Sequence, residues 1–292
     1  MKKPGKEINA LLQLIDDPDN EVYDTVAAEI LRYGKIIIPN LEALWETTPD
    51  EAVQERIEML IHRVHFQDLQ QAFYEWGNSP QASLLQGALL VARYQFPELA
   101  TAPLISQFDQ MRKNIWLELN NYLTPIEQVN VFASMLYSYY RLQGHELSER
   151  EPAHFFINQV LESRQGNTYS LGVLFLAFCE LLDIPIFAVD LPRQFVLAYV
   201  DTVHPPGRPF TEPEQHLLFF IDPVNAMVYT RSDVTLYLKK VGATGPEYEY
   251  FTPVGNRRII YRMLEELALC YRYRREEDKA EEVEQLMRVL VR

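Results

Sequence analysis

Few residues in this chain have the types and spacing that chemistry needs. Cys179 and Cys270 both fall within apolar helical patterns, 91 positions apart, so they suggest neither a disulfide framework nor zinc-ligand spacing. His62 and His65 stand three apart on a helical stretch. A metal site there would need at least a third ligand, and none is nearby in sequence. A surface or interface role for this pair is the expectation, with no metal and no cofactor. Hydroxyls recur in Gly166-Asn167-Thr168-Tyr169-Ser170, where a helix begins. A hydroxyl attacks well only beside a base. The imidazoles downstream, His204 and His216, lie in or beside a loop rich in proline, His204-Pro205-Pro206-Gly207-Arg208-Pro209. Asp222-Pro223 follows an apolar run, where an aspartate commonly opens a turn and caps nearby N–H groups.

The elements around these residues follow from periodicity. Leu171, Leu174, Phe175, Phe178 and Leu182 form one apolar stripe, and Gly172, Leu176 and Cys179 lie on another face. A helix from Leu171 to Leu182 that is apolar nearly all round belongs at a domain centre. Ile186 to Val189 and Phe195 to Val200 are rich in β-formers, Leu217 to Ile221 reads as a buried strand, and Met227 to Thr230 is placed beside it. Upstream, Pro125 to Tyr140 has helical spacing at Val129, Phe132, Ala133, Leu136 and Tyr140, and Phe155 to Leu161 gives a further short helix. Downstream, Pro246 to Thr252 reads as an aromatic, acidic loop. Two helices follow, Arg257 to Tyr273 and one opening at Glu276-Glu277-Asp278 and running to Val291.

The first hundred residues carry an internal period. Asp17-Pro18-Asp19, Thr48-Pro49-Asp50 and Ser79-Pro80-Gln81 place prolines 31 positions apart. At the same shift Val22, Val53 and Leu84 coincide, as do Val26, Ile57 and Ala88, and Ile30, Ile61 and Ala92. Steps of four within each set put those side chains on one helical face. Second helices at Pro39 to Trp45, Gln67 to Trp76 and Pro97 to Phe108 would complete stacked hairpins, a HEAT-like pattern.

The middle of the chain resembles the SirB-type transglutaminase-like family. The resemblance is carried by the run from Phe155-Phe156-Ile157-Asn158 through Ser163-Arg164-Gln165-Gly166-Asn167, then Ser170-Leu171-Gly172, Ile184-Pro185, Leu191-Pro192 and Ile221-Asp222-Pro223-Val224-Asn225, in that order. It spans residues 110 to 242. It implies a papain-like α+β core, with a helical segment before it and tetratricopeptide-like helices after it. Active members of the superfamily use a Cys at the start of a buried helix, a His on one strand and an Asp on the next. The helix dipole favours the thiolate, the His takes the proton and the Asp orients the His. Carried over by position, the nucleophile falls on Thr168, with Ser170 as the nearest alternative hydroxyl, and the base falls on Gln194. Only Asp222 matches the family. A Gln amide does not accept a proton near neutral pH. A Gln194–Asp222 hydrogen bond beside the helix start is the arrangement this mapping implies.

The chain therefore reads as α+β and mostly helical, a papain/transglutaminase-like core with a small antiparallel sheet behind an α-helical repeat segment. The expected domains are 1–108 (HEAT-like repeats), 109–245 (the transglutaminase-like core) and 246–292 (a tetratricopeptide-like hairpin). The expected function is a pseudo-enzyme serving as a protein-interaction or scaffold module. The alternative is a weak hydrolase or acyltransferase with Ser170 as nucleophile and His204 or His216 as base. Composition agrees: of 292 residues 48% are hydrophobic and 23% charged, a globular balance. With 27 Lys+Arg against 41 Asp+Glu, the net charge of −14 disfavours nucleic acid as a partner. The start Met1-Lys2-Lys3-Pro4-Gly5-Lys6 has no apolar run behind it, and no stretch reaches the ~20 apolar residues of a membrane span. A cytoplasmic protein whose partners are other proteins, with neither nucleic acid nor membrane, is the expectation.

Overall fold

A computed structural model describes residues 4–201 and 216–291. By its internal contacts the chain divides into two units, Met1–Glu75 and Trp76–Arg292.

The first unit begins with helix α1 (Pro4–Leu12) and α2 (Asn20–Tyr33). Asp19 caps α2, its side chain accepting from the Glu21 N–H at 2.9 Å. A 3₁₀ turn at Gly34–Ile37 leads into α3 (Ile38–Thr47), and α4 spans Glu51–Asn78. Val26, Ile30 and Ile57, three of the residues in phase with the 31-residue period, join Ile15, Leu41 and Leu60 in the core of this unit. The second repeat departs from expectation. Its two helices are one continuous helix of 28 residues, because no Gly or Pro interrupts Glu51–Trp76. The division between the two units falls within α4.

The second unit is α+β. Ser83 caps α5 (Leu84–Gln95), four residues later than the Ser79-Pro80 signal suggested, and α6 (Thr101–Glu118) follows. A Thr124–Glu127 capping box opens α7 (Pro125–Ala133). The expected helix to Tyr140 instead passes into a π-helical turn at Ser134–Tyr139. Strand β1 (Gln143–His145) pairs in parallel with β2 (Gln165–Asn167), and α8 (Ile157–Ser163) lies between them in sequence. Helix α9 (Thr168–Leu182) starts three residues earlier than its apolar stripe indicated, and everything from Tyr169 to Cys179 is buried.

After α9 come β3 (Ile186–Leu191), β4 (Gln194–Val200), β5 (Leu217–Ile221) and β6 (Val228–Tyr229), then α10 (Arg231–Lys240). Helix α11 (Glu247–Phe251) occupies the stretch expected to be a loop, and Phe251 is fully buried. Strand β7 (Pro253–Val254), α12 (Asn256–Tyr273) and α13 (Glu277–Val291) complete the chain. The five-stranded sheet runs β6-β5-β4-β3-β7, with every pairing antiparallel.

Helix α9 organises this unit. Phe178 stacks on Phe108 of α6 with ring centroids 4.1 Å apart, and Phe175 stacks on Phe132 of α7 at 4.8 Å. Its first turn faces the sheet, where Tyr169 stacks on Phe195 at 5.0 Å. Gly172 permits that approach, since a Cβ there would sit 2.5 Å from Phe195 Cε1. Helix α12 packs on α5 and α9 and pairs with α13, so the C-terminal hairpin buries its apolar face on the core of its own unit.

Candidate functional site

The start of α9 is fixed by a reciprocal cap. Asn167 Oδ1 accepts from the N–H groups of Tyr169 and Ser170, both at 3.0 Å. Ser170 Oγ accepts from the Asn167 N–H at 3.0 Å. Both residues are buried, Ser170 completely. Ser170, the alternative nucleophile, thus spends its hydroxyl on the helix cap and is closed to solvent.

Thr168, one residue into α9, is only partly buried and lines a cavity of about 550 Å³. The same cavity is lined by Gln194, at the start of β4, and by Asp222, just after β5. The structure therefore brings the three motif-derived positions to one place. The Asp222 carboxylate accepts from the Val224 N–H at 2.8 Å, the turn-capping role open to an Asp-Pro. Burial raises the Tyr229 phenol pKa above its ordinary value, and the Asp222 charge and hydrogen bond raise it further. Tyr137, whose hydroxyl donates to the Pro223 carbonyl at 2.6 Å, is raised by burial first and then by the Asp222 charge. Among the described residues, Asp222 is thus held by Val224 and Tyr229. The Gln194 amide has no part in this, which corrects the expected Gln194–Asp222 hydrogen bond.

Two residues of the cavity escaped the sequence reading. His145 ends β1 in register with Asn167, and its ring stacks on the buried His154 at 4.5 Å. Gly144 lets β1 approach the Asp222 turn, since a Cβ there would lie 2.1 Å from Val224 Cγ1. Arg193 is the second residue of the Pro192-Arg193 turn between β3 and β4, exposed, with φ 62°. That left-handed backbone ordinarily favours glycine. Pro192 at the first central position and a positive φ at the second make this a type II turn, whose second residue requires φ above zero.

The other candidates lie apart. His204 is outside the described residues. The His216 carbonyl accepts from the Asp201 N–H at 2.7 Å, and His216 does not line the cavity. Cys179 is buried and its thiol pKa pushed well up by desolvation. Cys270 is buried too, its pKa raised to about 11, chiefly by burial. His62 stacks on Phe66 at 6.3 Å. Among the described residues, no group of three or more His, Cys, Asp or Glu could hold a metal ion, and no helix is long and apolar enough to cross a membrane.

A buried central helix whose first turn faces an antiparallel sheet, with the motif positions gathered at one cavity, defines a transglutaminase-like core. A family model for the transglutaminase-like superfamily matches residues 103–265, and the chain belongs to that superfamily. Among curated proteins it is similar to protein SirB1 of Salmonella typhimurium, 22% identical over 200 residues that cover 67% of this chain and 68% of that protein. It is also similar to the UPF0162 protein YchA of Escherichia coli K12, at 23% over 201 residues, covering 67% and 68%. A UPF0162 protein of Xylella fastidiosa is 28% identical over 119 residues, covering 39% and 41%. No solved structure matches the chain.

Proposed function

We propose that this chain is a non-catalytic member of its superfamily, a protein-interaction or scaffold module that keeps the old cleft for binding. The observation that carries this reading is the lining of the cavity. Thr168 and Gln194, onto which the motif order maps the nucleophile and the base, both line it, and both cysteines are buried with raised thiol pKa values. A neutral amide is no base near neutral pH, and a threonine hydroxyl is a weak nucleophile without one. Exposed Trp116, Leu117 and Tyr122 give the same unit an apolar surface of the kind that partner proteins cover. The test is turnover of an activated ester and of glutamine-containing peptides. No hydrolysis or acyl transfer above buffer is expected. Turnover that disappears in Thr168→Ala would overturn the reading.

One observation favours a second reading. His145 shares the cavity with Thr168, so a weak hydrolase or acyltransferase would use the Thr168 hydroxyl with His145 as its base, not Ser170 with His204 or His216. In that case the ester activity should be lost in both Thr168→Ala and His145→Ala.

A further inference from the structure

A smaller cavity of about 260 Å³ adjoins the first, and the two share Gln194, Val196 and Tyr229 as a common wall. Its remaining lining is Leu191 from the sheet with Asp233, Val234 and Tyr237 from α10, and the Asp233 carboxylate is taken up by the Thr230 N–H and hydroxyl, at 2.8 and 2.7 Å. That volume suits one aliphatic or aromatic side chain. Arg193 stands at the lip of the larger cavity, and its charge reaches Tyr237, where it opposes the rise that burial gives the Tyr237 phenol. Among the described residues the guanidinium forms no ion pair and no hydrogen bond, in a chain of net charge −14. Its planar fork of donors matches a carboxylate. The geometry therefore sets a cation without a partner among the described residues beside a side-chain-sized, mostly apolar pocket, and the backbone holds that cation in a conformation where glycine would be easier.

We infer that the joined cavities bind an apolar amino-acid residue bearing a free carboxylate, the chemistry of a peptide C-terminus, with the carboxylate on Arg193 and the side chain among Leu191, Val196, Val234 and Tyr237. The inference rests on the binding reading above and gives the ligand class for that site. A backbone carboxylate and its side chain leave the same Cα, so one residue reaches both features. The neighbouring amides of the ligand then face the polar wall formed by Gln194 and Tyr229.

Calorimetric titration of the full chain with N-acetyl-Ala-Ala-Leu as the free acid tests this, beside the same peptide as its C-terminal amide and N-acetyl-Ala-Ala-Gly as the free acid. The leucine acid is expected to bind about tenfold or more tightly than either control, since each control lacks one anchor. Arg193→Gly is expected to erase the preference for acid over amide without lowering the melting temperature, because glycine is at ease at this φ. Arg193→Asn, also tolerant of a left-handed backbone, should behave alike. N-acetyl-leucine separates two sources of the same chemistry. Binding as tight as the tripeptide's identifies a free acylated amino acid, and weaker binding identifies a peptide end; both support the assignment. Equal affinity for acid and amide, equal affinity for the leucine and glycine acids, or no binding of the leucine acid at millimolar concentration would each overturn it. Ester turnover by the wild-type chain would instead overturn the non-catalytic reading and leave the preference for acid over amide to be judged on its own.

Discussion

Gly172 shows how closely single residues set the cleft. A methyl group there would press on Phe195, which stacks on Tyr169 and lines the larger cavity beside Gln194. Gly172→Ala is expected to destabilise the chain by ~1–3 kcal/mol through overpacking, read as a lower urea midpoint; an unchanged midpoint would show that Phe195 yields freely. The buried thiols make a second prediction at this scale. With the Cys270 pKa at about 11 in the folded chain, the unfolded state sheds its thiol proton first, at about 8.5. A group whose pKa is raised by folding gives stability that is complete below the unfolded pKa and lost as pH rises through the folded one. Urea midpoints should therefore fall between pH 9 and 11, and fall less in Cys270→Ala. Parallel curves would refute that linkage. That Thr168, Gln194 and Asp222 share one cavity was legible because short motifs in a fixed order located them. His145 and Arg193 were not. The first enters through a strand of three residues with no periodicity to detect, and the second needs φ 62° in a turn to matter.

At the scale of elements, the cap of α9 joins two buried polar side chains in one device. Asn167→Ala removes the acceptor for two N–H groups and is expected to cost about 1–2 kcal/mol. Ser170→Ala frees the Asn167 N–H. Since each side chain serves the other's backbone, the double variant should lose less than the sum of the single losses; additive losses would mean that the two bonds act independently. Long apolar elements such as α9 and β5 were readable because their burial is written in consecutive residues. Helix α10 was missed because only Val234 and Leu238 are buried in it, although Thr230 and Asp233 spell a capping box that could have revealed it. The α4 hairpin was over-read, since a turn was inferred from periodicity where no chain-breaking residue stood.

Across the second unit, the C-terminal hairpin is part of the core. Ile260 lies in the seam at Gly87, where a Cβ would come 2.7 Å from its Cγ1, and Leu264 and Leu267 are fully buried. A chain ending at Gly255 would expose the faces of α5 and α9 that α12 covers. It is expected to be insoluble or to bind a hydrophobic dye without a cooperative melt. A soluble, cooperatively melting truncation would make the hairpin a separate module. The transglutaminase-like core was legible in the middle of the sequence. The seam was not, because it joins residues more than 170 positions apart, and nothing local in either stretch announces the other.

The parallel pairing of β1 with β2 has a kinetic consequence. His145 meets Asn167 only when a loop of about twenty residues closes, and the cavity also needs the Asp222 turn, a further fifty-odd residues along. Loop closure of this kind is paid in entropy before any contact rewards it. The cleft should therefore assemble after the rate-limiting step, once α9 and the antiparallel strands have come together. Gly144→Ala, which crowds Val224, is expected to speed unfolding while leaving the refolding rate nearly unchanged, a φ-value near zero. A refolding rate that slows in proportion to the lost stability would instead place the cleft in the folding nucleus.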